Sequence, residues 1–172
     1  MTVILNALRA LRPAGGAEPL PPADAALTRR FSAEHQVIRA DIEQLRIAAD
    51  ALTTDPAAAM AQVRRVHALL TDEIWPHENA EEADLYPALN RLLGGTDPTA
   101  TMSRAHAEIG YQIARLGRLI ADIGDRVPDE ADVADLRGAL YGLHAILRLH
   151  TAQEDEAYLS LGDEAETVGS RT

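Results

Sequence analysis

Apolar residues recur along this chain at every third or fourth position, over four long stretches. This period is typical of amphipathic helices that bury one face. We find no strand-like alternation of apolar and polar residues, so the pattern predicts an all-α protein. The apolar members of the four predicted buried faces are Phe31, Ile38, Ile42, Leu45, Ala49 and Leu52; Met60, Val63, Leu70 and Ile74; Met102, Ile109, Ile113, Leu116, Ile120 and Ile123; and Val133, Leu136, Leu140, Leu143, Leu147 and Leu161.

The breaks between these stretches carry cap and turn residues. Asp55 offers an N-cap, and Pro56 follows it at a position where a helix accepts proline. The glycine- and proline-containing run 94–98 separates the second stretch from the third, and Gly124 with Pro128 separates the third from the fourth. Because short connections make consecutive helices antiparallel, we predict an up-down-up-down four-helix bundle.

The bundle is predicted to occupy residues 27–162. Residues 1–26 are interpreted as an N-terminal tail with a linker rich in proline and glycine, and residues 163–172 as a flexible C-terminal tail. Within the second helix, Pro76 removes a backbone donor and predicts a kink.

Composition and charge exclude several classes of function. The formal net charge of −11 argues against nucleic-acid partners and against anionic membrane surfaces. The absence of cysteine rules out disulfides, thiolate metal ligands and a cysteine nucleophile. No apolar run approaches the ~18 residues that span a bilayer. The short cluster Val3-Ile4-Leu5 has no basic segment before it, which argues against a signal peptide, so we expect a cytoplasmic protein.

One pattern of histidine and glutamate residues occurs twice on the predicted buried faces. In each half a lone histidine is followed, 42 or 44 residues later, by a second histidine with a glutamate four residues on. Helical residues i and i+4 share a face with Cβ atoms about 5–6 Å apart, so an imidazole and a carboxylate in this arrangement can hold a metal ion. The six residues are His35, His77, Glu81, His106, His150 and Glu154.

Antiparallel packing would bring all six side chains into one core layer near one end of the bundle. A buried carboxylate without a partner costs several kcal/mol, so the layer predicts a pair of metal cations. Four imidazoles and two carboxylates suit iron, manganese, zinc or cobalt, whereas calcium and magnesium prefer oxygen. Six ligands shared between two ions leave positions for an exogenous ligand. Ferritin-like bundles fit poorly, because their glutamate and histidine are three residues apart and in the reverse order.

The chain resembles the hemerythrin-like, or HHE, cation-binding domain family over residues 27 to about 162. The motifs that carry this resemblance are His35, His77-Glu78-x-x-Glu81-Glu82, Leu85-Tyr86-Pro87, His106 and His150-x-x-x-Glu154-Asp155. The resemblance implies a non-haem centre of two iron ions, with Glu81 and Glu154 bridging them and the histidines as terminal ligands. It also implies that Glu78 can join the site, as an extra carboxylate does in iron-sensing members.

Gly110 departs from the pattern of the oxygen-carrying hemerythrins. Those members have a further histidine four residues after the third-helix histidine, and here that position is Gly110. The departure predicts a position for water or hydroxide near His106, unless Glu78 fills it. We expect Trp75 to pack near the entrance of the site. Gly110→His is predicted to slow the oxidation of the diferrous protein in air if the new imidazole supplies the missing ligand.

Several other polar and aromatic residues are predicted to have no direct part in metal binding. His67 lies ten residues before His77 and is expected in the core, and His144 is expected at the periphery. Glu82 and Asp155 are expected to be solvated, and Tyr86 to be a packing residue.

The sequence therefore predicts a hemerythrin-like protein that reacts with or senses a small oxidant or gas: peroxide, dioxygen or nitric oxide. Peroxide consumption of a catalase-like or peroxidase-like kind is the favoured activity. The alternative is a non-enzymatic protein that senses, stores or carries iron or oxygen. No residue pattern identifies a redox partner.

Overall fold

The computed structural model describes residues 20–93 and 99–156, and all of the regular structure in these ranges is helical. The elements are α1 (Pro22–Ala51), α2 (Pro56–Leu69), π1 (Leu70–Ile74), α3 (Trp75–Ala80), π2 (Glu81–Leu85), α4 (Tyr86–Leu93), α5 (Ala100–Ile123) and α6 (Glu130–Glu154). The elements α2 to α4 follow one another directly and are called the second arm. The predicted break at 94–98, Leu161 and the C-terminal tail lie outside the described residues.

Contacts between neighbouring elements pair the start of one with the end of the next. Between α1 and α6, His35 Nδ1 lies 2.9 Å from Asp155 Oδ1, and Glu43 Oε2 lies 3.1 Å from His144 Nε2 farther along α1. The other neighbours follow the same rule: Glu34 meets His77, Trp75 packs on Gly110, His67 packs on Gly117, and His106 meets His150. The all-α bundle is confirmed, and the up-down-up-down order stays a prediction with which these contacts agree.

The core follows the predicted helical period closely. Almost all the predicted apolar face residues that the structure describes are buried, and only Ile120 and Val133 are half-buried. All of them except Phe31 and Met102 belong to or pack against one long apolar cluster from Ile38 to Leu147. A second apolar cluster lies at one end of the bundle and consists of Phe31, Leu85, Tyr86, Leu89 and Met102. No helix in the described ranges is both long and apolar enough to cross a membrane.

Helix ends follow from local chemistry. The side chain of Asp55 accepts the backbone N–H of Ala58 at 3.0 Å, and Pro56 occupies the first turn, as predicted. Gly124 ends α5 with a φ of 58°, a conformation that favours glycine. Helix α1 begins at Pro22, so residues 22–26 are helical although their composition predicted a linker. Proline is tolerated there because the first turn needs no backbone donor.

Two π-helical turns interrupt the second arm, and each is followed at once by an X-Pro pair. The N–H of Trp75 bonds to Leu70 O, and Pro76 comes next. The N–H of Tyr86 bonds to Glu81 O, and Pro87 comes next. A widened i→i+5 turn shifts the helical register where proline has removed a donor. The structure thus accommodates Pro76, where we predicted a kink, with a change of register.

Candidate metal centre

The six predicted site residues come together in one buried layer. This layer lies between the long apolar cluster and the end cluster. The most exposed of the six, His77, is only 7% exposed, and Glu81 and Glu154 are fully buried. The apolar residues one turn away on either side separate the layer from bulk water. The α1 neighbours, for example, are Phe31 and Ile38.

One side of the layer is built by α1 and the second arm. Glu81 Oε1 lies 3.2 Å from His35 Nε2 and 3.3 Å from His77 Nε2. Glu154 Oε2 lies 3.5 Å from His35 Nε2. One ligand atom from each of His35, His77 and Glu81 falls within 4.8 Å of the others, a spacing at which the three residues could hold one cation.

The other side brings α5 and α6 against the second arm. Glu78 Oε2 lies 2.7 Å from His106 Nε2 and 3.0 Å from His150 Nε2. Glu81 turns its second oxygen, Oε2, to this side, 3.3 Å from His106 Nε2. Glu78, Glu81, His106 and His150 form a second group of ligand atoms within 4.8 Å of one another. Glu81 belongs to both groups, which is the placement that a bridging carboxylate needs.

Glu154 and Tyr86 complete the layer. Glu154 Oε2 lies 3.3 Å from His150 Nε2 as well as facing His35, so Glu154 also reaches both sides. The Tyr86 hydroxyl donates a hydrogen bond to Glu154 Oε1 and lies 3.2 Å from His106 Nε2. Its ring stacks on His106 with an interplanar angle of 9°. Burial and then the charge of Glu154 raise the pKa of Tyr86 well above its usual value, so the phenol stays a donor.

The π turn explains why the sequence predicted only packing for Tyr86. Five residues along a regular α-helix turn the side chain by about 140°, which would point Tyr86 away from the face of Glu81. A π turn repeats its hydrogen bond every five residues and returns Tyr86 to nearly that face. The X-Pro pair at Tyr86-Pro87 is the signal in the sequence that could have revealed this shift.

Three of the four histidines also donate a hydrogen bond outward from Nδ1 to a carboxylate. Ionised carboxylates only accept, so these bonds place a proton on Nδ1. In the neutral imidazole, Nε2 then carries the inward lone pair that a metal ion can bind. The pairs are His35 with Asp155, His77 with Glu34 and His106 with Glu82, each at 2.9 Å. Glu82 is exposed, as predicted, and Asp155 is half-buried, but both also accept a hydrogen bond that we did not predict from the sequence.

The donor set fits a cation. His106 Nε2 and His150 Nε2 lie 2.8 Å apart, and both face Glu78 Oε2. Three buried carboxylates, from Glu78, Glu81 and Glu154, share the same dry space. Burying these charges together costs several kcal/mol per ion unless positive charge balances them. Divalent or trivalent metal ions bound among these atoms would accept the imidazole lone pairs and would balance the negative charge of the carboxylates.

Without a metal, His35 and His106 take up positive charge. Burial lowers the pKa of His35, but hydrogen bonds to Asp155 and Glu81 outweigh it and raise that pKa to about 10. For His106 the lowering by burial is likewise outweighed, here by hydrogen bonds to Glu78 and Glu81, and its pKa is also raised to about 10. A metal ion must therefore displace protons from these imidazoles.

Glu81 and Glu154, the two carboxylates that face both sides of the layer, differ in the direction of their pKa shifts. Burial raises the pKa of Glu154, and the charge of Glu81 raises it further, to about 7. Burial also acts to raise the pKa of Glu81, but hydrogen bonds from His106, His35 and His77 outweigh it, and its pKa is lowered.

Gly110 does not leave an open position at the centre. A Cβ built on Gly110 would lie 2.7 Å from Cη2 of Trp75, because the indole ring fills the space beside this glycine. Glu78 lies between His106 and His150, which is the exception that we allowed when we predicted a water or hydroxide position near His106. Trp75 packs near the layer, as the sequence predicted.

The two remaining histidines stand apart from the layer. His67 is half-buried in a surface groove beside Gly117, where a Cβ would lie 2.7 Å from its Nε2. His144 pairs with Glu43 on the outside of α1 and α6. Among the described residues, neither belongs to a group of candidate ligands. His144 is peripheral, as predicted, whereas His67 lies in a half-buried groove and not in the core.

A helical bundle with a buried layer of converging histidines and carboxylates defines a cation-binding class of protein. The sequence matches the family model described as the hemerythrin HHE cation binding domain over residues 26–161, so the chain belongs to this family. Searches of curated proteins and of solved structures each returned no match.

Replacing a layer carboxylate should remove metal, whereas replacing an outlying histidine should not. We expect Glu81→Ala and Glu154→Ala to lose most of the bound metal, because each side chain faces both sides of the layer. His67→Ala and His144→Ala are the matched controls and should retain it. Elemental analysis of the purified variants tests this, and equal losses in all four would refute the assignment.

The metal-free protein should lose stability as the pH rises. The raised pKa values of His35 and His106 stabilise the fold fully below their unfolded value of 6.5, and this contribution is lost as the pH approaches 10. In the metal-bound protein, His35 and His106 do not carry the additional proton, so this loss of stability with rising pH should be absent. Urea unfolding from about pH 7 to about pH 9 should show a widening gap between loaded and chelator-treated protein. A constant gap would contradict the proton competition.

Substituting Gly110 should move Trp75 and add no ligand. Gly110→Ala places a Cβ against the indole, and Gly110→His adds further atoms to the same filled space. Trp75 is the only tryptophan, so its fluorescence reports the displacement directly. We expect a shifted emission maximum in both variants and unchanged emission in Gly138→Ala, since nothing lies within 4 Å of a Cβ there. Higher metal affinity in Gly110→His would revive the missing-ligand interpretation.

Proposed function

We propose that the chain holds two iron ions in this layer and reacts there with a small oxidant, with hydrogen peroxide the favoured substrate. The observation that carries the proposal is the pair of buried ligand groups that share Glu81. Mixed imidazole and carboxylate donors suit iron.

Seven side chains would hold the ions. Glu81 and Glu154 would bridge, because each faces histidines on both sides of the layer. The terminal ligands would be His35 and His77 on one side, and Glu78, His106 and His150 on the other. Bound iron would supply electron transfer and would polarise an oxygen-containing ligand.

The chain's own residues prepare that chemistry. The two apolar clusters exclude bulk water, which strengthens electrostatic interactions inside the layer. The Tyr86 hydroxyl donates its one hydrogen bond to Glu154 Oε1 and so holds this carboxylate in place. Because every candidate ligand is buried, we expect access only for small reactants such as peroxide, dioxygen and nitric oxide.

The second candidate function is iron sensing or storage without turnover. The position of Glu78 favours it, since a third buried carboxylate adds negative charge and an oxygen ligand for iron. Reversible oxygen carriage belongs to the same non-enzymatic group. The cytoplasmic location and the absence of nucleic-acid and membrane partners stay predictions from the sequence.

Metal analysis combined with an oxygen electrode separates these functions. We expect two irons per chain after anaerobic loading, and oxygen evolution when peroxide is added. Glu81→Ala should abolish both, and His144→Ala should change neither. Two bound irons without peroxide consumption would favour sensing or storage, and a single tightly bound ion would refute the two-ion centre.

A further inference from the structure

The three outer carboxylates form a ring that runs from helix to helix. Each stands next to a candidate ligand in sequence but hydrogen-bonds to a histidine on a neighbouring element. Glu34 of α1, beside His35, accepts from His77 in the second arm; Glu82, beside Glu81, accepts from His106 of α5; and Asp155, beside Glu154, accepts from His35 of α1. Three of the four corners of the bundle are therefore linked in the same way.

The fourth corner lacks its carboxylate. His35 and His77 correspond to His106 and His150 in the internal repeat, so Glu34 corresponds to Ala105. Ala105 and Glu34 are both half-buried, and each directly precedes its histidine. Alanine has no acceptor to offer across the α5–α6 corner. The equivalence identifies position 105 as the place from which a carboxylate would reach His150.

His150 shows the consequence. Its side chain is only 1% exposed, and its Nδ1 has no hydrogen-bond partner in the part of the chain that the structure describes. Thr151, which follows it, directs its hydroxyl to Leu147 O at 3.0 Å and not to the imidazole. An outer acceptor fixes the tautomer and orientation of a ligating histidine and increases its basicity. Without an outer acceptor, His150 lacks this control of its tautomer, its ring orientation and its basicity.

We propose that Glu34, Glu82 and Asp155 are positioning residues for three of the four histidines, and that the open corner at Ala105 makes His150 the imidazole that leaves the metal most readily. This inference rests on the proposed metal binding. Glu78 Oε2 stands 3.0 Å from His150 Nε2, so a carboxylate remains at this corner when the imidazole moves away.

Proton NMR of the full chain loaded with Co²⁺ tests the ring directly. Paramagnetic shifts separate the imidazole N–H signals of ligating histidines from all others. We expect three such signals that exchange slowly with water and a fourth that exchanges fast or is missing. Glu34→Leu should abolish the slow signal of His77, Glu34→Gln should keep it because the amide oxygen still accepts, and Ala105→Glu should add a fourth slow signal.

The rate of Co²⁺ transfer to a chelator gives a second readout. Outer-shell partners affect metal binding by about 10- to 100-fold, so Glu34→Leu should release metal faster by that factor and Ala105→Glu should slow release. Asp84→Leu is the matched control, since Asp84 shares Arg30 with Glu34 but contacts no ligand histidine.

The outcomes distinguish this inference from the proposed function. Four equally protected N–H signals in the wild type, or release from Glu34→Leu no faster than from Asp84→Leu, would overturn the ring while leaving metal binding intact. A chain that binds no Co²⁺ would instead overturn the metal centre itself. Should Glu34→Leu fail to fold, Glu34→Gln and Ala105→Glu still decide between these outcomes.

Discussion

The burial of three carboxylates in one dry layer is the constraint on which the rest of this structure depends. Glu78, Glu81 and Glu154 are at most 1% exposed, and among the described residues no arginine side chain reaches them. Only imidazoles, protons, a phenol or bound cations can balance their charge, and burial without such balance costs several kcal/mol per ion. The convergence of four Nε2 atoms on these oxygens is the arrangement that bound metal ions would stabilise most.

The apolar architecture serves this layer from both sides. Long apolar faces hold the bundle together below it, and the cluster around Phe31 and Met102 closes the bundle above it. The second arm contributes most to the layer, and its two π turns decide which of its side chains face inward. The turn from Glu81 to Leu85 brings Tyr86 beside Glu154 and His106, so an irregularity of the backbone has a direct chemical consequence.

Much of this could be predicted from the sequence, because a regular helical period reports faithfully which face is buried. The buried faces follow from that period. The meeting of six side chains follows from the period together with antiparallel packing of consecutive helices; they are His35, His77, Glu81, His106, His150 and Glu154. Tyr86 was not predictable in the same way, since a π turn changes the period. The outer bonds of Glu34, Glu82 and Asp155 run between elements, and Trp75 fills the space at Gly110 from another arm. Such contacts depend on packing between helices, which no single-helix pattern encodes.

An anomalous difference map at the iron absorption edge, from crystals of the iron-loaded protein, tests the central claim most directly. The account predicts two peaks inside the buried layer, one on each side of the Glu81 carboxylate, with His35 and His77 facing one peak and His106 and His150 facing the other. A single peak, or peaks confined to acidic side chains on the surface, would contradict it.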